Sequence, residues 1–313
     1  MKFLIYPAVG EEELQEIQSV SNVVEVLNVR EEDKAIEVIG EVDAMYGVIN
    51  PKLLERAEKL RWIQTPMAGL EHYMFSALIE SNVAMSNMQG IYSDNIADHV
   101  MGYVLMFARG FHIYLRHQLE QQWAPGVPII HLADGTLGVI GLGGIGIEVA
   151  KRGAAAEMQV IATDAVRTEK PDFVDVLWGS DRLGDLLMES DFVVSCVPHT
   201  PETVKLIGAD QFRQMKRTAY FINVSRGIVV DLAALTTALQ HGEIAGAGLD
   251  VFETEPLPAA HPLWGMQNVI ITPHTASNAP HTAKRRLAVL KGNIRRFVAG
   301  EPLQNVVDKS RWC

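Results

Sequence analysis

Thr136-Leu-Gly-Val-Ile-Gly141-Leu-Gly143-Gly144-Ile-Gly146-Ile-Glu-Val-Ala150 contains the strongest structural signal in this chain. An apolar run leads into a G-x-G-x-x-G pattern, and an amphipathic helical pattern over Ile145–Arg152 leaves it. This order of strand, glycines and helix is the fingerprint of a dinucleotide-binding unit. Gly141 permits a tight turn, Gly143 lets backbone N–H groups approach a pyrophosphate, and Gly146 lets the helix pack against the strand. We therefore predict a phosphate site at a helix N-terminus.

The next predicted strand, Met158–Thr163, is followed by an acidic residue, Asp164, 18 residues beyond Gly146. A carboxylate at this place accepts hydrogen bonds from the adenosine ribose hydroxyls and repels a 2′-phosphate, which favours NAD over NADP. Arg167 lies three residues further on, and a guanidinium there is able to pair with a 2′-phosphate. The sequence therefore predicts NAD as the cofactor and leaves NADP as an alternative.

Short apolar strands alternate with helical patterns on both sides of this region, as in α/β folds built on parallel sheets. The helical pattern Ala283–Ala299, near the end of the chain, is expected to pack on the first series of strands. We therefore predict an α/β fold of two domains, with a Rossmann-type dinucleotide-binding domain inserted in a flavodoxin-like substrate domain. The substrate domain is expected to comprise residues 1–97 and 279–313, and the dinucleotide-binding domain residues 98–278.

Composition excludes several classes of function. The chain has 313 residues, 48% of them hydrophobic and 21% charged, which is typical of globular proteins. Its net charge of -11 argues against a nucleic-acid-binding surface. The two cysteines, Cys196 and Cys313, are too few for a disulfide framework or a Cys-rich metal site. We therefore expect a cytoplasmic protein without a bound metal.

The apolar run Val100–Ala108 spans nine residues, which is too short to cross a bilayer, and we expect no membrane association. Its helical pattern has no polar face, and such a helix is normally buried all round. The cover is expected to come from the other domain or from a second copy of the chain. The second case predicts a homodimer.

Charged and polar side chains follow three further predicted strands, in the segments Phe221–Gly227, Ala247–Pro258 and Asn268–Ala276. In an open α/β sheet, ligands bind outside the carboxyl ends of the strands. We therefore expect four side chains to face one crevice, namely Arg226, Asp250, Glu255 and His274.

An arginine, a carboxylate and a histidine are the groups needed to reduce a 2-keto acid. A guanidinium binds the substrate carboxylate and polarises the carbonyl group. An imidazole donates a proton to the carbonyl oxygen as a hydride reaches the carbon. A carboxylate orients that imidazole and favours its protonated form. Each residue alone has an ordinary structural explanation, and it is their combination that indicates an active site.

At these motifs the chain resembles the D-isomer-specific 2-hydroxyacid dehydrogenase family, and the resemblance covers essentially its whole length. The family's cofactor motif is similar to Gly141–Gly146, and its second signature is similar to Asp191–Thr203. The segments that contain the family's catalytic arginine, glutamate and histidine are similar to Asn223–Gly227, Asp250–Pro256 and Thr272–His274.

The resemblance implies an oxidoreductase that transfers a hydride between NAD(H) and a small 2-keto acid/D-2-hydroxy acid pair. It implies that Arg226 anchors the substrate, that His274 is the general acid and base, and that Glu255 supports His274. Asp250 would hold the nicotinamide carboxamide, and backbone N–H groups at Ala68–Gly69 would bind the substrate carboxylate. The residues expected to contact the cofactor are then Gly141, Gly143, Gly144, Ile145, Gly146, Asp164, Arg167, Val197, Pro198, Thr203, Val224, Ser225, Asp250 and His274.

Alternatives stay open within this resemblance. The chain is similar to glyoxylate/hydroxypyruvate reductases and to short phosphoglycerate dehydrogenases, and some members of the family are NAD-sensing corepressors rather than enzymes. Glyoxylate, hydroxypyruvate, pyruvate and branched keto acids are all candidate substrates. The complete set of Arg226, Glu255 and His274 favours an enzyme.

Overall fold

The computed structural model describes residues 1–310 and Trp312. The chain divides into two compact units. The terminal unit consists of Met1–Ile91 and the residues from Ala279 onward, and the central unit consists of Tyr92–Asn278. Cys313 lies outside the described residues.

The terminal unit contains one parallel sheet of five strands. With elements numbered along the whole chain, its strands are β1 (Lys2–Tyr6), β2 (Glu25–Asn28), β3 (Ala44–Gly47), β4 (Trp62–Gln64) and β5 (Ala84–Ser86). They are ordered β2-β1-β3-β4-β5 across the sheet, which is the flavodoxin-like order that was predicted.

The helices of the terminal unit are α1 (Glu11–Gln18), α2 (Glu32–Val38), α3 (Pro51–Arg56), α4 (Ser76–Glu80) and α11 (Thr282–Ala299). The long helix α11 packs against α1. The core of the unit includes Leu4, Met45 and Ile63, which lie on neighbouring strands and are fully buried. This core holds the parallel strands together by hydrophobic burial.

The central unit contains a parallel sheet of seven strands. They are β6 (Thr136–Ile140), β7 (Gln159–Asp164), β8 (Val176–Gly179), β9 (Phe192–Ser195), β10 (Tyr220–Asn223), β11 (Gly246–Leu249) and β12 (Val269–Ile271). Their order across the sheet is β12-β11-β10-β9-β6-β7-β8, the doubly wound arrangement of a Rossmann-type fold. The predicted fold class is therefore confirmed.

Helices cover both faces of this sheet, and each face has its own hydrophobic core. The helices are α5 (Ser93–Ala108), α6 (Phe111–Leu119), α7 (Gly144–Ala155), α8 (Leu183–Glu189), α9 (Ala209–Gln214) and α10 (Leu232–Gln240). Val139 belongs to the core beneath α5 and α7, and the next residue, Ile140, belongs to the core beneath α8–α10. Successive side chains of a strand point to opposite faces, so a strand buried on both sides reads as a continuous apolar run.

The carboxyl ends of the central strands lie in register. Across the sheet the aligned residues are Ile271, Leu249, Asn223, Ser195, Ile140 and Thr163. The residues that follow them therefore line a single edge. The strand order reverses between β6 and β9, and ligands bind at such switch points, outside the carboxyl ends of the strands.

The helix α5 buries one face and exposes the other. Val100, Val104 and Phe107 are buried against the central unit, whereas Leu105 is 44% exposed. Within one chain α5 is therefore not buried all round, because only one of its faces packs on α7 and the sheet. Among the described residues, no helix combines the length and apolar character needed to span a bilayer.

Candidate active site

The glycine-rich turn joins β6 to α7 at the switch point. The helix begins at Gly144, so Gly144 and Ile145 lie in its first turn, where backbone N–H groups have no acceptor within the helix. A Cβ atom built at Gly143 would meet no atom within 4 Å, so the space beside the turn is open. Open space next to helical N–H groups suits a pyrophosphate, and these residues fit a dinucleotide cofactor.

Two glycines let this turn close tightly. Gly141 has a φ of 89°, a backbone conformation that favours glycine. A Cβ atom at Gly146 would lie 2.0 Å from the carbonyl oxygen of Gly141. A side chain at Gly146 would therefore push α7 away from the turn.

The carboxylate of Asp164 is folded onto the glycine turn. Its Oδ2 accepts the Leu142 N–H at 2.7 Å, and its Oδ1 accepts the N–H groups of Val166 and Arg167 at 2.9 and 2.7 Å. The Nε of Arg167 donates to the Leu142 carbonyl at 3.1 Å. Asp164 and Arg167 line one pocket, together with Trp178. The contact of either charge with the ribose of a cofactor stays a prediction.

The segment after β9 packs against the same turn. A Cβ atom at Gly141 would lie 2.9 Å from the Val197 side chain. The Thr203 hydroxyl accepts the Thr200 N–H and donates to the Pro198 carbonyl at 2.7 Å. This hydrogen bond to the Pro198 carbonyl therefore stabilises the turn. A contact between Thr203 and a cofactor stays a prediction.

Cys196 directly follows β9 but is not poised as a nucleophile. Burial raises the pKa of its thiol to about 12, so the group is protonated at neutral pH. The thiolate is the reactive form of cysteine. The described part of the chain also has no group of three or more His, Cys, Asp or Glu side chains placed to hold a metal ion.

The turn after β10 is organised by Asn223, whose role was not predicted. Its Oδ1 accepts the N–H and the hydroxyl of Ser225 at 3.1 and 2.7 Å, and its Nδ2 donates to the Arg226 carbonyl at 3.2 Å. Both donors of Ser225 are thus used inside the protein, and the Val224 side chain is buried. The contacts of these two residues with a cofactor stay a prediction.

Gly227 brings the Arg226 turn against the segment that contains Glu255. A Cβ atom at Gly227 would lie 1.8 Å from the carbonyl carbon of Phe252. The two backbones approach so closely that no side chain fits between them. Arg226 is half-buried and directly precedes Gly227, so its backbone lies close to the segment Phe252–Glu255.

His274 and Glu255 form a hydrogen-bonded pair. The distance between His274 Nδ1 and Glu255 Oε2 is 2.7 Å, and Glu255 Oε1 accepts the Phe252 N–H at 2.9 Å. An ionised carboxylate only accepts hydrogen bonds, so Nδ1 of His274 is the protonated nitrogen. Nε2 is then an acceptor in the neutral ring and a donor in the charged ring, as a general acid and base requires. The two side chains are 47% and 36% exposed, so the pair is accessible.

Asp250 holds the loop that contains His274. Asp250 is 2% exposed, and its carboxylate accepts the N–H groups of Thr275 and Ala276 at 2.9 and 3.0 Å. Its carbonyl accepts the His274 N–H at 2.8 Å. His274 has a φ of 52°, which is uncommon for a residue other than glycine. The contacts with Asp250 stabilise this conformation.

The predicted substrate loop belongs to the terminal unit, where it follows β4. Its residues Ala68–Gly69 are half-buried. Asn87 Nδ2 donates to the Ala68 carbonyl at 2.9 Å, and the Met88 N–H donates to the Met67 carbonyl at 3.1 Å. The carbonyl groups of Met67 and Ala68 therefore both point toward the interior of the terminal unit.

Within the central unit, the structure brings the predicted residues together in two groups. Asp164 and Arg167 lie at the glycine turn, and His274, Glu255 and Asp250 lie at the end of β11 and β12. Three further residues contact one another beside Asp250 and were not predicted, namely His99, Tyr103 and Thr272. The sequence feature that could have identified Thr272 is its position directly before Pro273 and His274.

Comparison with known proteins gives consistent similarities. The family model described as "D-isomer specific 2-hydroxyacid dehydrogenase, NAD binding domain" matches residues 101–276. A glyoxylate reductase of Korarchaeum cryptofilum is 36% identical over 285 residues, which cover 88% of this chain and 85% of that protein. Glyoxylate/hydroxypyruvate reductase B of Escherichia coli K12 is 33% identical over 314 residues and 97% of each chain.

A solved structure extends the likeness to the fold. It is a D-isomer specific 2-hydroxyacid dehydrogenase from Xanthobacter autotrophicus Py2 in complex with NADPH and MES. The TM-score is 0.86 at 33% sequence identity, and the match covers 100% of this chain and 99% of that one.

Proposed function

Because the chain belongs to the D-isomer-specific 2-hydroxyacid dehydrogenase family, we propose that it is a glyoxylate/hydroxypyruvate reductase. The chain is an NAD(P)-dependent oxidoreductase that transfers a hydride within a 2-keto acid/2-hydroxy acid pair. Its similarity to relatives named for glyoxylate and hydroxypyruvate supports a short keto acid as substrate. The observation that carries the proposal is the 2.7 Å contact between His274 and Glu255, because it supplies an oriented proton donor.

His274 is proposed to protonate the keto oxygen during reduction. Its Nδ1–H donates to Glu255, so Nε2 is the atom that gives the proton. After the transfer, the neutral ring has a lone pair on Nε2 and is able to take the proton back in the oxidative direction. Glu255 keeps the ring in this orientation and stabilises its positive charge.

Arg226 is proposed to bind the substrate carboxylate. A guanidinium presents paired N–H donors that match the two oxygens of a carboxylate. The same positive charge stabilises negative charge that develops on the keto oxygen. The N–H groups of Ala68–Gly69 are proposed to bind the carboxylate as well, and the inward carbonyls of this loop support that role.

The residues proposed to hold the cofactor surround the switch point. When bound, NAD(P)H supplies the hydride. The first-turn N–H groups of α7 would bind the pyrophosphate, and the buried carboxylate of Asp250 would orient the nicotinamide carboxamide. Asp164 and Arg167 would face the adenosine ribose.

A substrate panel tests the proposed function. The purified protein is mixed with NADH or NADPH and with glyoxylate, hydroxypyruvate, pyruvate, a branched keto acid or phosphohydroxypyruvate, and loss of the reduced nicotinamide is followed. We expect the highest kcat/KM with glyoxylate or hydroxypyruvate. The highest value with the phosphorylated acid would indicate a phosphoglycerate dehydrogenase instead. Binding of NADH without turnover of any acid would favour a corepressor.

Cofactor choice is expected to depend on the charges at Asp164 and Arg167. We expect a higher kcat/KM with NADH than with NADPH, because a carboxylate repels a 2′-phosphate. Asp164→Ala should lower the ratio of kcat/KM with NADH to kcat/KM with NADPH by about 10- to 100-fold, the usual contribution of a hydrogen bond to a charged group. Arg167→Ala is the matched variant and should raise this ratio. Equal or better turnover with NADPH in the unmodified enzyme would contradict the role of Asp164.

We also propose a homodimer that forms through the exposed side of α5 and α6. Phe111, Leu115 and Leu119 recur every four residues on α6 and therefore share one face of that helix. They are 52%, 51% and 84% exposed, and Leu105 on α5 is 44% exposed. Exposed apolar surface of this kind is typical of sites of protein association.

Light scattering tests this assembly. We expect twice the mass of one chain at micromolar concentration, and a single-chain mass for the double variant Leu115→Glu/Leu119→Glu, because buried unpaired carboxylates oppose association. Val23→Glu is the matched control, since Val23 is 63% exposed and lies in the terminal unit. A monomer in the unmodified protein would refute the dimer.

The cytoplasm is the proposed location of the enzyme. The chain has two cysteines, and the described one, Cys196, is a free thiol. Free thiols and few cysteines are typical of proteins in reducing compartments.

A further inference from the structure

The hydroxyl of Thr272 lies between three other side chains at the end of β12. Its Oγ1 is 2.5 Å from Asp250 Oδ1, 2.5 Å from the Tyr103 hydroxyl and 3.0 Å from His99 Nε2. His99 and Tyr103 lie one turn apart on α5, and their rings meet edge to face. The Tyr103 ring packs on Gly248, where a Cβ atom would lie 2.7 Å from it. The cluster therefore connects α5 to the carboxyl edge of the sheet.

The hydrogen-bond roles in this cluster follow from the number of protons. The Asp250 carboxylate accepts two backbone N–H groups and the Thr272 hydroxyl, so it is an acceptor throughout. A threonine hydroxyl has one proton to donate and two lone pairs that accept. Since that proton is directed at Asp250, Tyr103 and His99 both donate to Thr272. His99 therefore has its proton on Nε2, whereas His274 has one on Nδ1.

His99 is uncharged in this position at neutral pH. Burial lowers the pKa of His99 below its ordinary value of 6.5, and the carboxylate of Asp250, 3.9 Å away, opposes this effect. The net direction is downward because desolvation of the charged ring is the larger effect. The ring is therefore able to donate as a neutral Nε2–H tautomer.

We propose that His99 is a positioning residue that acts through Thr272 on Asp250, an inference that rests on the proposed function. The donors of His99 and Tyr103 occupy both acceptor sites of the Thr272 hydroxyl and direct its proton to Asp250 Oδ1. Oδ1 is then fixed by Thr272 and by the Thr275 N–H.

The other carboxylate oxygen is the one that this arrangement presents to a cofactor. Among the described residues, Oδ2 of Asp250 accepts a hydrogen bond from the Ala276 N–H. A carboxylate oxygen accepts more than one donor, so Oδ2 is the oxygen that would bind the carboxamide N–H. The carbonyl of Asp250 holds the His274 N–H, so one residue sets both the nicotinamide plane and the histidine loop.

The first experiment reads the tautomer of His99 in the full chain before any cofactor is added. Histidine labelled with nitrogen-15 is incorporated, and the ring nitrogens of His99 are assigned by the signals that disappear in His99→Gln. We expect a protonated Nε2 and an unprotonated Nδ1 at neutral pH. A ring protonated on Nδ1 would overturn the proposal, whatever the variants do.

The second experiment compares two substitutions at His99. Glutamine places an amide N–H near the position of Nε2, whereas leucine fills a similar volume without a donor. We expect His99→Leu to weaken NADH binding, measured by fluorescence titration, by about 3- to 10-fold, and His99→Gln to stay within about twofold of the unmodified protein. The kcat should fall with the same pattern, while the KM for the keto acid changes little.

Thr272→Val tests whether His99 acts through the hydroxyl. Its loss of NADH affinity should equal that of His99→Leu, and the double variant should lose no more than either single one, because both remove the same chain of hydrogen bonds. Additive losses, or equal losses in His99→Gln and His99→Leu, would refute the proposal. His241→Leu, at an exposed histidine of the same unit, should leave NADH affinity unchanged.

The NADH titration does not depend on the substrate. If no keto acid were turned over, the proposed reductase activity would be wrong. The difference between glutamine and leucine at His99 would still decide whether this residue positions Asp250.

Discussion

Replacing His274 with alanine is expected to lower kcat for keto-acid reduction by about 10²- to 10⁴-fold, the usual contribution of a positioned acid–base group. The ring donates from Nδ1 to Glu255 at 2.7 Å, so the variant loses the group that is proposed to deliver the proton from Nε2. The KM for the keto acid should change much less, because Arg226 is expected to supply most of the substrate binding. Steady-state kinetics with NADH at saturating keto acid measure the effect.

The pH dependence gives an independent measure of this role. Reduction takes up a proton and oxidation releases one, so the reduction rate should fall and the oxidation rate should rise as the pH increases. Glu255→Gln should lower the reduction rate and leave NADH affinity nearly unchanged, because Glu255 contacts the ring and the Phe252 N–H. His241→Ala is the matched control and should keep full activity. Near-normal turnover in His274→Ala would place the proton donor elsewhere.

Arg226→Ala is expected to lower kcat/KM by about 30- to 4,000-fold, the range that follows from a cost of about 2–5 kcal/mol for removing one partner of a buried charge pair. Both constants should change, since the same guanidinium is proposed to bind the carboxylate and to polarise the reacting carbonyl group. NADH affinity, measured by fluorescence titration, should be nearly unchanged. A fall in kcat/KM without a loss of NADH affinity distinguishes a substrate contact from a general loss of structure.

Two further substitutions make the test of Arg226 specific. Arg226→Lys keeps the charge but loses the paired N–H donors, so it should recover only part of the activity. Arg213→Ala removes an arginine that forms an ion pair with Asp210 on the surface and should leave kcat/KM unchanged. A loss confined to NADH binding in Arg226→Ala would contradict the assignment of Arg226 to the substrate.

The fold was predictable where local patterns determine it. The glycine-rich stretch became β6, a tight turn and α7, because each part of that motif is set by neighbouring residues. The exposure of α5 was not predictable in the same way. Its apolar pattern shows that the helix has no polar face, but which face is buried depends on the position of α7 and the sheet. Leu105 is exposed and Val104 is buried for this reason.

The candidate site was predictable where one of its residues follows a strand. Parallel strands end at one edge, so Asp250 and the Thr272–His274 segment could be placed near each other from the sequence alone. The contact between His99 and Thr272 joins residues 173 positions apart, and no local pattern reports it. The close approach of Gly227 to Phe252 is likewise visible only when both backbones are in place.

The in-register strand ends described above have a consequence for how this protein tolerates change in length. The length of each strand in the central sheet determines which face the following side chain points to. Removing one residue from a strand would turn that side chain to the opposite face. The connections at the amino ends of the strands lie at the other edge of the sheet, and some of them, such as residues 156–157 and 241–243, are exposed or half-buried. Insertions engineered into these exposed connections are therefore expected to leave the spacing of the candidate active site intact.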